Sequence, residues 1–173
     1  EDASALRLRD PRRFGAILWT AEEPEAHPRL AGLGPEPLDP AFSGEWLFRR
    51  SRKRTTTVKA FLMDARVVVG IGNIYANEAL FRAGIDPRRP AGQIDRSGYD
   101  RLVRGTAEVL EAAIAAGGTT LRDFTHNDGS PGYFRQELAV YGRAGEPCPH
   151  CATPIGHAVV AQRATYFCPA CQE

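Results

Sequence analysis

Four cysteines near the C-terminal end of the chain have the type and spacing that metal binding requires. Cys148 and Cys151 form one C-x2-C pair, Cys168 and Cys171 form a second, and 16 residues separate the two pairs. Two such knuckles favour a tetrahedral Zn²⁺ held by four thiolates. A closed four-cysteine site of this kind folds a small hairpin and does not activate water. We therefore predict one structural Zn²⁺.

Two alternatives to zinc are a pair of disulfides and four unused thiols. Disulfides are typical of small secreted chains, whereas this chain has 173 residues and is rich in arginine. His150 and His157 lie in the same segment. Because four thiolates already complete the metal shell, we expect both histidines to be bystanders.

A glycine-rich segment in the middle of the chain has a composition suited to phosphate binding. Gly70 and Gly72 come directly before Asn73 and an apolar stripe of helical spacing. Glycines at such a position let another backbone approach, and the N–H groups of a helix N-terminus attract anions. A simple helix cap would explain the same glycines, so the motif alone is weak.

Charge is unevenly distributed, although the formal net charge is only +1. A local basic cluster is the expected footprint of a face that binds a polyanion, and a solvated helix face is the alternative. No apolar run approaches the roughly 20 residues that a membrane span needs. Between Glu45 and Lys59 the chain carries six basic residues: Arg49, Arg50, Arg52, Lys53, Arg54 and Lys59.

The segments around these motifs have distinct compositions. Residues 6–9 and 14–19 have strand-like patterns on either side of a turn, and residues 21–44 are rich in proline with an acidic bias. A further strand is predicted at 138–141. We expect the two N-terminal strands to be the tail of a β domain and residues 21–44 to be a linker.

Three apolar stripes between these regions have the i, i+3, i+4, i+7 spacing of helices. We expect all of them to be core. Ser97 with Asp100 predicts a capping box at the start of the third helix, and Gly117 with Gly118 predicts its end. The stripes are Val58, Phe61, Leu62, Ala65; then Ala76, Ala79, Leu80, Ala83; then Tyr99, Leu102, Val103, Thr106, Val109, Leu110, Ala113, Ile114.

Taken together, the motifs resemble one family, the bacterial formamidopyrimidine-DNA glycosylases, which remove oxidised purines from DNA. The resemblance covers nearly the whole chain, and the motifs occur in the family's order. The residues of these motifs resemble this oxidised-purine branch more than they resemble the related endonuclease VIII enzymes. The matching segments are 10–15 (DPRRFG), 33–38 (LGPEPL), 68–75 (VVGIGNIY), 83–85 (AGI), 118–121 (GTTL), 140–143 (VYGR) and 162–168 (QRATYFC).

The resemblance implies a mainly α fold with a C-terminal β-hairpin zinc finger. The expected domains are the last strands of a β-sandwich at 1–20, the linker at 21–44, a helix-two-turn-helix DNA-binding domain at 45–136 and the four-cysteine zinc finger at 137–173. DNA would lie in the cleft between the β-sandwich and the helical half.

Several residues match positions to which the family assigns roles. Asn73 corresponds to an asparagine that binds phosphate. Arg54 corresponds to a lysine that contacts phosphate, and Lys59 corresponds to a lysine near the lesion. Arg163 corresponds to the arginine at the hairpin tip that grips phosphates and is assigned to δ-elimination.

Two further residues and one loop match the family's handling of the base. Arg12 and Phe14 correspond to residues that fill the hole left by base extrusion, where an arginine bonds the orphaned base and a ring replaces lost stacking. Without the resemblance, the alternatives are a surface charge for Arg12 and a core ring for Phe14. The loop at 119–133 resembles the segment that closes over the everted base.

The chain departs from the family at its N-terminus. The family's nucleophile is an N-terminal proline amine followed by a glutamate, and it forms a Schiff base that permits β- and δ-elimination. This chain begins Glu1-Asp2-Ala3. We therefore expect DNA binding without base excision, with double-stranded DNA carrying an oxidised purine or abasic site as partner.

Other functional classes remain open at this stage. One is a zinc-containing nucleic-acid-binding module without catalytic activity, and another is an enzyme that uses Lys59 as its own Schiff-base amine. The resemblance also implies a monomer in the bacterial cytoplasm, associated with the nucleoid and not with a membrane.

Overall fold

The computed structural model describes residues 5, 8, 10, 15–117 and 138–173. The chain divides into two compact units, Glu1–Gly32 and Leu33–Glu173. All the α-helices and strands in the described ranges belong to the second unit. A mainly α fold with a C-terminal β-hairpin, as predicted, is confirmed.

Two short helices begin the second unit. α1 spans Gly44–Ser51 and α2 spans Val58–Leu62. Ser43 caps α1 by accepting a hydrogen bond from the Trp46 N–H, and Thr57 caps α2 in the same way. Hydroxyl caps satisfy N–H groups that the first helical turn leaves without partners. The basic end of α1 leads into the loop that carries Arg54.

Two longer helices form the centre of the unit. α3 spans Asn73–Ala83 and α4 spans Arg96–Ala115, and they pack against each other. α3 ends at Gly84, whose φ of 67° is the left-handed conformation that favours glycine. None of the helices in the described ranges has the length and apolar character that a membrane span requires.

The predicted apolar stripes form most of the core between the helices. Every predicted residue of the second stripe is buried, as are the first three of the first. Two residues were predicted wrongly as core. Ala65 is exposed because α2 already ends at Leu62, and Ile114 is 67% exposed because it lies on the outer face of the last turn of α4.

The start of α4 differs from the predicted capping box. The cap is Asp95, whose carboxylate accepts a hydrogen bond from the Gly98 N–H at 2.7 Å. The helix therefore begins before Ser97, and Asp100 instead pairs with Arg96 on the surface. The predicted end is confirmed, because Gly117 has a φ of 73° and follows the last turn.

A two-stranded antiparallel hairpin lies between the two cysteine pairs. β1 spans Gly156–Val160 and β2 spans Arg163–Phe167, with Val160 paired to Arg163. The turn consists of Ala161 and Gln162, which have φ values of 47° and 60°. Positive φ at both residues is typical of the type I′ turn, whose twist matches that of the strands. Arg163 is thus the first residue after the turn.

The hairpin module is attached to α3 through a buried carboxylate. Glu78, 1% exposed, accepts hydrogen bonds from the backbone N–H groups of Ala139, Val140 and Tyr141 at 2.8 to 3.0 Å. The backbone N–H groups of residues 139–141 thus bond to a side chain and not to a neighbouring strand. The strand predicted at 138–141 is therefore wrong.

The first unit has little regular structure in its described residues. It contains one 3-10 turn, Pro24–Ala26, and residues 15–20 carry neither helix nor strand. The tail strands predicted for 1–20 remain a prediction, since a strand of this length depends on partner strands for its hydrogen bonds. The boundary between the units falls after Gly32, inside the segment predicted as a linker.

Candidate metal centre and nucleic-acid interface

The four cysteine sulfurs lie together at the end of the hairpin. Their Sγ atoms are all within 4.8 Å of one another, with separations of 3.4 Å for Cys151–Cys171, 3.5 Å for Cys151–Cys168 and 3.9 Å for Cys148–Cys171. A tetrahedron with Zn–S bonds of about 2.3 Å has edges of about 3.8 Å. The sulfurs are too far apart for disulfides, whose S–S bond is about 2.05 Å. The donor set therefore fits one zinc ion.

Backbone hydrogen bonds hold the two knuckles in shape. The Cys148 N–H donates to the Thr153 carbonyl at 2.9 Å, and the His150 N–H points at the Cys148 Sγ at 3.4 Å. In the second knuckle the Cys168 N–H donates to the Oε1 of buried Gln172 at 2.8 Å. Such contacts orient the ligands before the metal binds.

Crowded thiols also favour a cation electrostatically. Hydrogen bonds from Thr153 lower the pKa of Cys151 to about 6, whereas its hydrogen bond with Cys151 raises the pKa of Cys171. The cluster therefore carries its first negative charge easily and further ones only with a compensating charge. A bound zinc dication would supply that charge and would favour the thiolate form of the remaining cysteines.

Both histidines of this segment lie against aromatic rings, with the ring planes tilted. His150 lies 4.8 Å from the ring of Phe81 on α3, and His157 lies 5.0 Å from Tyr166, measured between centroids. The metal cluster found in the described ranges consists of the four cysteines. Both histidines therefore occupy packing positions.

The N-terminus of α3 is open in front of its first turn. Gly72 is the N-cap residue, and no described side chain caps this end. A Cβ placed at Gly70 or Gly72 would meet no atom within 4 Å, and the φ of 76° at Gly70 is in the left-handed region that favours glycine. This is the exposed helix end that the glycine motif predicts.

The hairpin meets this helix end at one backbone carbonyl. The Ala164 carbonyl accepts hydrogen bonds from Asn73 Nδ2 at 3.0 Å and from Lys59 Nζ at 2.8 Å. Asn73 Oδ1 is buried and has no hydrogen-bond partner in the described structure. Arg163, exposed at the tip, immediately precedes Ala164 in β2. The structure thus brings together Lys59, Asn73 and Arg163, three of the six residues predicted for DNA.

Lys59 is buried, although it belongs to the basic cluster between Glu45 and Lys59. The residue is 1% exposed, and its ammonium also donates to Thr165 Oγ1 at 2.7 Å. Burial, and then the nearby charge of Arg163, lowers the pKa of Lys59 to about 8. The side chain therefore contacts the hairpin and is not spread over the surface as a solvated lysine would be.

The other predicted DNA residues are not joined to this cluster. Arg54 is exposed in the loop between α1 and α2, and within the described hydrogen bonds and ion pairs its side chain touches none of the three. Arg12, Phe14 and the loop at 119–133 lie outside the described residues. Their roles remain predictions.

Sequence reasoning missed two polar side chains at this junction. Asn77, fully buried on α3, accepts the Tyr166 N–H at 2.7 Å and donates to the Asn73 carbonyl at 2.6 Å. Thr165 is also fully buried and accepts from Lys59. Asn77 could have been noticed, since Asn73, Asn77 and Glu78 place polar groups on the apolar side of α3.

Comparisons with known proteins identify both parts of the second unit. Residues 33–125 match the family described as "Formamidopyrimidine-DNA glycosylase H2TH domain", and residues 145–173 match "Zinc finger found in FPG and IleRS". The first match covers more than half of the chain.

Individual proteins agree with these family matches. A formamidopyrimidine-DNA glycosylase of Methylococcus capsulatus is 62% identical over 96% of this chain, and the chain spans 62% of that relative's length. The crystal structure of the MutM (FPG) protein from Thermus thermophilus superposes with a TM-score of 0.85 at 46% identity, over 94% of this chain and 62% of the other. The Lactococcus lactis Fpg, solved with DNA containing an abasic site, gives a TM-score of 0.76 at 37% identity, over 82% and 52%.

The cysteine cluster predicts one bound zinc per chain. We expect Cys151→Ser to lose stoichiometric zinc and the amide protection of the hairpin while the helices remain folded, because zinc binding supplies the folding free energy of such a module. Elemental analysis and amide hydrogen exchange would measure both. His157→Ala is the matched control and should keep one zinc. Loss of zinc from that control, or retention in Cys151→Ser, would contradict the assignment of four cysteine ligands.

The burial of Lys59 predicts an unusual titration. The chain has only two lysines, Lys53 and Lys59, so lysine-selective ¹³C labelling gives two sets of signals, which Lys53→Arg assigns. We expect Lys59 to titrate near pH 8, below its ordinary 10.5. Between pH 8 and 10.5 the unfolded chain binds more protons at Lys59 than the folded chain does. The free energy of unfolding should therefore rise with pH in this range. A midpoint above pH 10 would contradict this environment.

Proposed function

Because the chain belongs to the formamidopyrimidine-DNA glycosylase family, we propose that it forms the DNA-binding half of a base-excision repair enzyme. The proposed enzyme removes oxidised purines such as 8-oxoguanine and cleaves the resulting abasic site by β- and δ-elimination. Double-stranded DNA that carries such a lesion is the proposed partner.

The observation that carries this proposal is the junction at Ala164. One carbonyl joins the N-terminus of α3, through Asn73, to the hairpin residue next to Arg163. A helix N-terminus and a guanidinium are both favourable to phosphate, and they lie on neighbouring elements here. Two adjacent phosphates of a bent strand are a suitable ligand for this pair.

Phosphate binding gives each residue of the junction a separate task. The first-turn N–H groups of α3 would face one phosphate, and Asn73 would fix the helix end against the hairpin. Arg163 would hold a phosphate beside the lesion nucleotide. In elimination, its charge would stabilise the phosphate that leaves the sugar.

The remaining predicted residues fit the same function. Arg12 and Phe14 would fill the space left by the everted base, and the loop at 119–133 would close over that base. Arg54 would add a phosphate contact from the loop after α1. The Lactococcus complex with abasic-site DNA supports DNA of this kind as the partner of a similar protein.

Preferential binding of damaged duplex is the first test. We expect the chain to bind a duplex with a stable abasic analogue more tightly than an intact duplex, measured by fluorescence anisotropy. Arg163→Ala should weaken this binding roughly tenfold to hundredfold, since a charge-assisted hydrogen bond contributes about 1.5–3 kcal/mol. The slope of log affinity against log salt concentration should also become shallower by about one unit, because one phosphate contact is lost.

The control for this test is Arg82→Ala. Arg82 pairs with Glu108 and lies nine residues along α3 from Asn73, a helical rise of about 14 Å. Its removal should change the affinity less than twofold. Equal affinity for damaged and intact duplex would favour the alternative, a zinc-containing nucleic-acid-binding module without catalytic activity.

The residues proposed above to contact DNA do not include the family's proline nucleophile, and this predicts a second outcome for residues 1–173 taken alone. With an 8-oxoguanine duplex and borohydride, the 173-residue chain should give no covalent adduct, because reduction traps only a Schiff base between an amine and the sugar C1′. The Methylococcus relative serves as the positive control. An adduct that disappears in Lys59→Met would instead identify Lys59 as the amine.

A further inference from the structure

A buried ammonium requires a structural reason, because removing a charge from water is costly unless it is hydrogen-bonded. Lys59 is 1% exposed, and its Nζ donates to the Ala164 carbonyl and to Thr165 Oγ1 at 2.8 and 2.7 Å. Both acceptors belong to β2, more than 100 residues further along the chain. The charge of Lys59 is thus directed at the two residues that follow Arg163.

These contacts close the outer edge of β2. On that edge the Ala164 carbonyl also receives Asn73 Nδ2, and the Tyr166 N–H donates to Asn77 Oδ1. Backbone groups on a sheet edge need partners, and here side chains of α2 and α3 provide them. We name Lys59, Asn73 and Asn77 the edge clamp.

The edge clamp constrains the position of Arg163. Thr165 Oγ1 donates to the Arg163 carbonyl at 3.1 Å and accepts from Lys59, so a hydrogen-bonded chain runs from α2 to the backbone of Arg163. On its other side Arg163 follows the two-residue turn and pairs with Val160. The backbone of Arg163 is therefore fixed on both sides, while its side chain is exposed.

We propose that Lys59 is a positioning residue, which acts on DNA through Arg163 and makes no contact of its own with the lesion or the phosphates. This reassigns the role that the family resemblance gives to Lys59, and it rests on the proposed function. The ammonium holds residues 164 and 165 so that the Arg163 guanidinium projects toward the phosphate. The Lys59 ammonium donates its own hydrogen bonds to groups of the protein.

A double-mutant cycle separates positioning from direct contact. Lys59→Met, Arg163→Ala and the double variant are compared for affinity to the abasic-analogue duplex, with zinc bound. We expect Lys59→Met to weaken binding about tenfold alone and less than twofold in the Arg163→Ala background, because residues that act through one contact are non-additive. Losses that multiply would show a separate contact of Lys59 and overturn the inference.

A general loss of stability must be distinguished from positioning. Glu78→Gln is the matched control, since Glu78 is another buried charged residue that attaches the hairpin module to α3 at a different point. Its destabilisation, measured by urea unfolding, should be accompanied by less than twofold loss of affinity. If it weakens binding as much as Lys59→Met does, and with the same non-additivity, Lys59 is merely structural.

Two further measurements keep the inference testable if Lys59→Met does not fold. Thr165→Val removes one acceptor of Lys59 with little change of shape and should show a smaller loss in the same cycle. With Lys59 itself unchanged, its titration midpoint should rise in Arg163→Ala, which removes the positive field of Arg163. The midpoint should also rise when the duplex binds, because the phosphates offset that field. An unchanged midpoint in both would overturn the inference.

The cycle also separates this inference from the proposed function. If Arg163→Ala leaves damaged-duplex binding unchanged, the proposed function itself fails. If Arg163→Ala weakens binding and Lys59→Met adds an independent loss, the proposed function stands and only the positioning role fails.

Discussion

The docking of one strand edge onto two helices is the interaction on which the rest of the structure depends. An isolated two-stranded hairpin is marginally stable in water. In this protein zinc ligands bracket the hairpin, and the Ala164 carbonyl and Tyr166 N–H of β2 are bound by side chains of α2 and α3. Each constraint fixes a different part of the module. Together they hold the two ends of the hairpin strand that begins with Arg163.

The same docking explains why polar groups occupy the apolar side of α3. Asn77 and Glu78 are buried at positions where a helix in this core would otherwise carry aliphatic residues. Each accepts backbone N–H groups of the hairpin module, from Tyr166 and from residues 139–141. A buried polar group costs free energy unless it is bonded, so these residues favour one arrangement of module and helix over others that would leave them unpaired.

How much of this could be predicted from sequence depends on the range of the interactions. The cysteine knuckles and the stripe from Ala76 to Ala83 are local patterns, and both predictions are confirmed. The predicted cap of α4 was wrong because Asp95 and Ser97 can both cap a helix, and local sequence does not choose between them. The burial of Lys59 was not predictable, because its acceptors are separated from it by more than 100 residues and a lysine in a basic cluster suggests a surface.

The charges at the junction indicate what kind of ligand the fold accommodates. Lys59 and Arg163 are near enough for the field of one to lower the pKa of the other, yet neither forms an ion pair with a carboxylate in the described ranges. A fold selected for stability alone would place an acidic or a neutral group here, since like charges in a partly buried site are destabilising. An anion bound in front of Arg163, as proposed above, would relieve this repulsion. In the proposed function, a bound phosphate would offset the positive field at the hairpin tip, which a neutral ligand would not do.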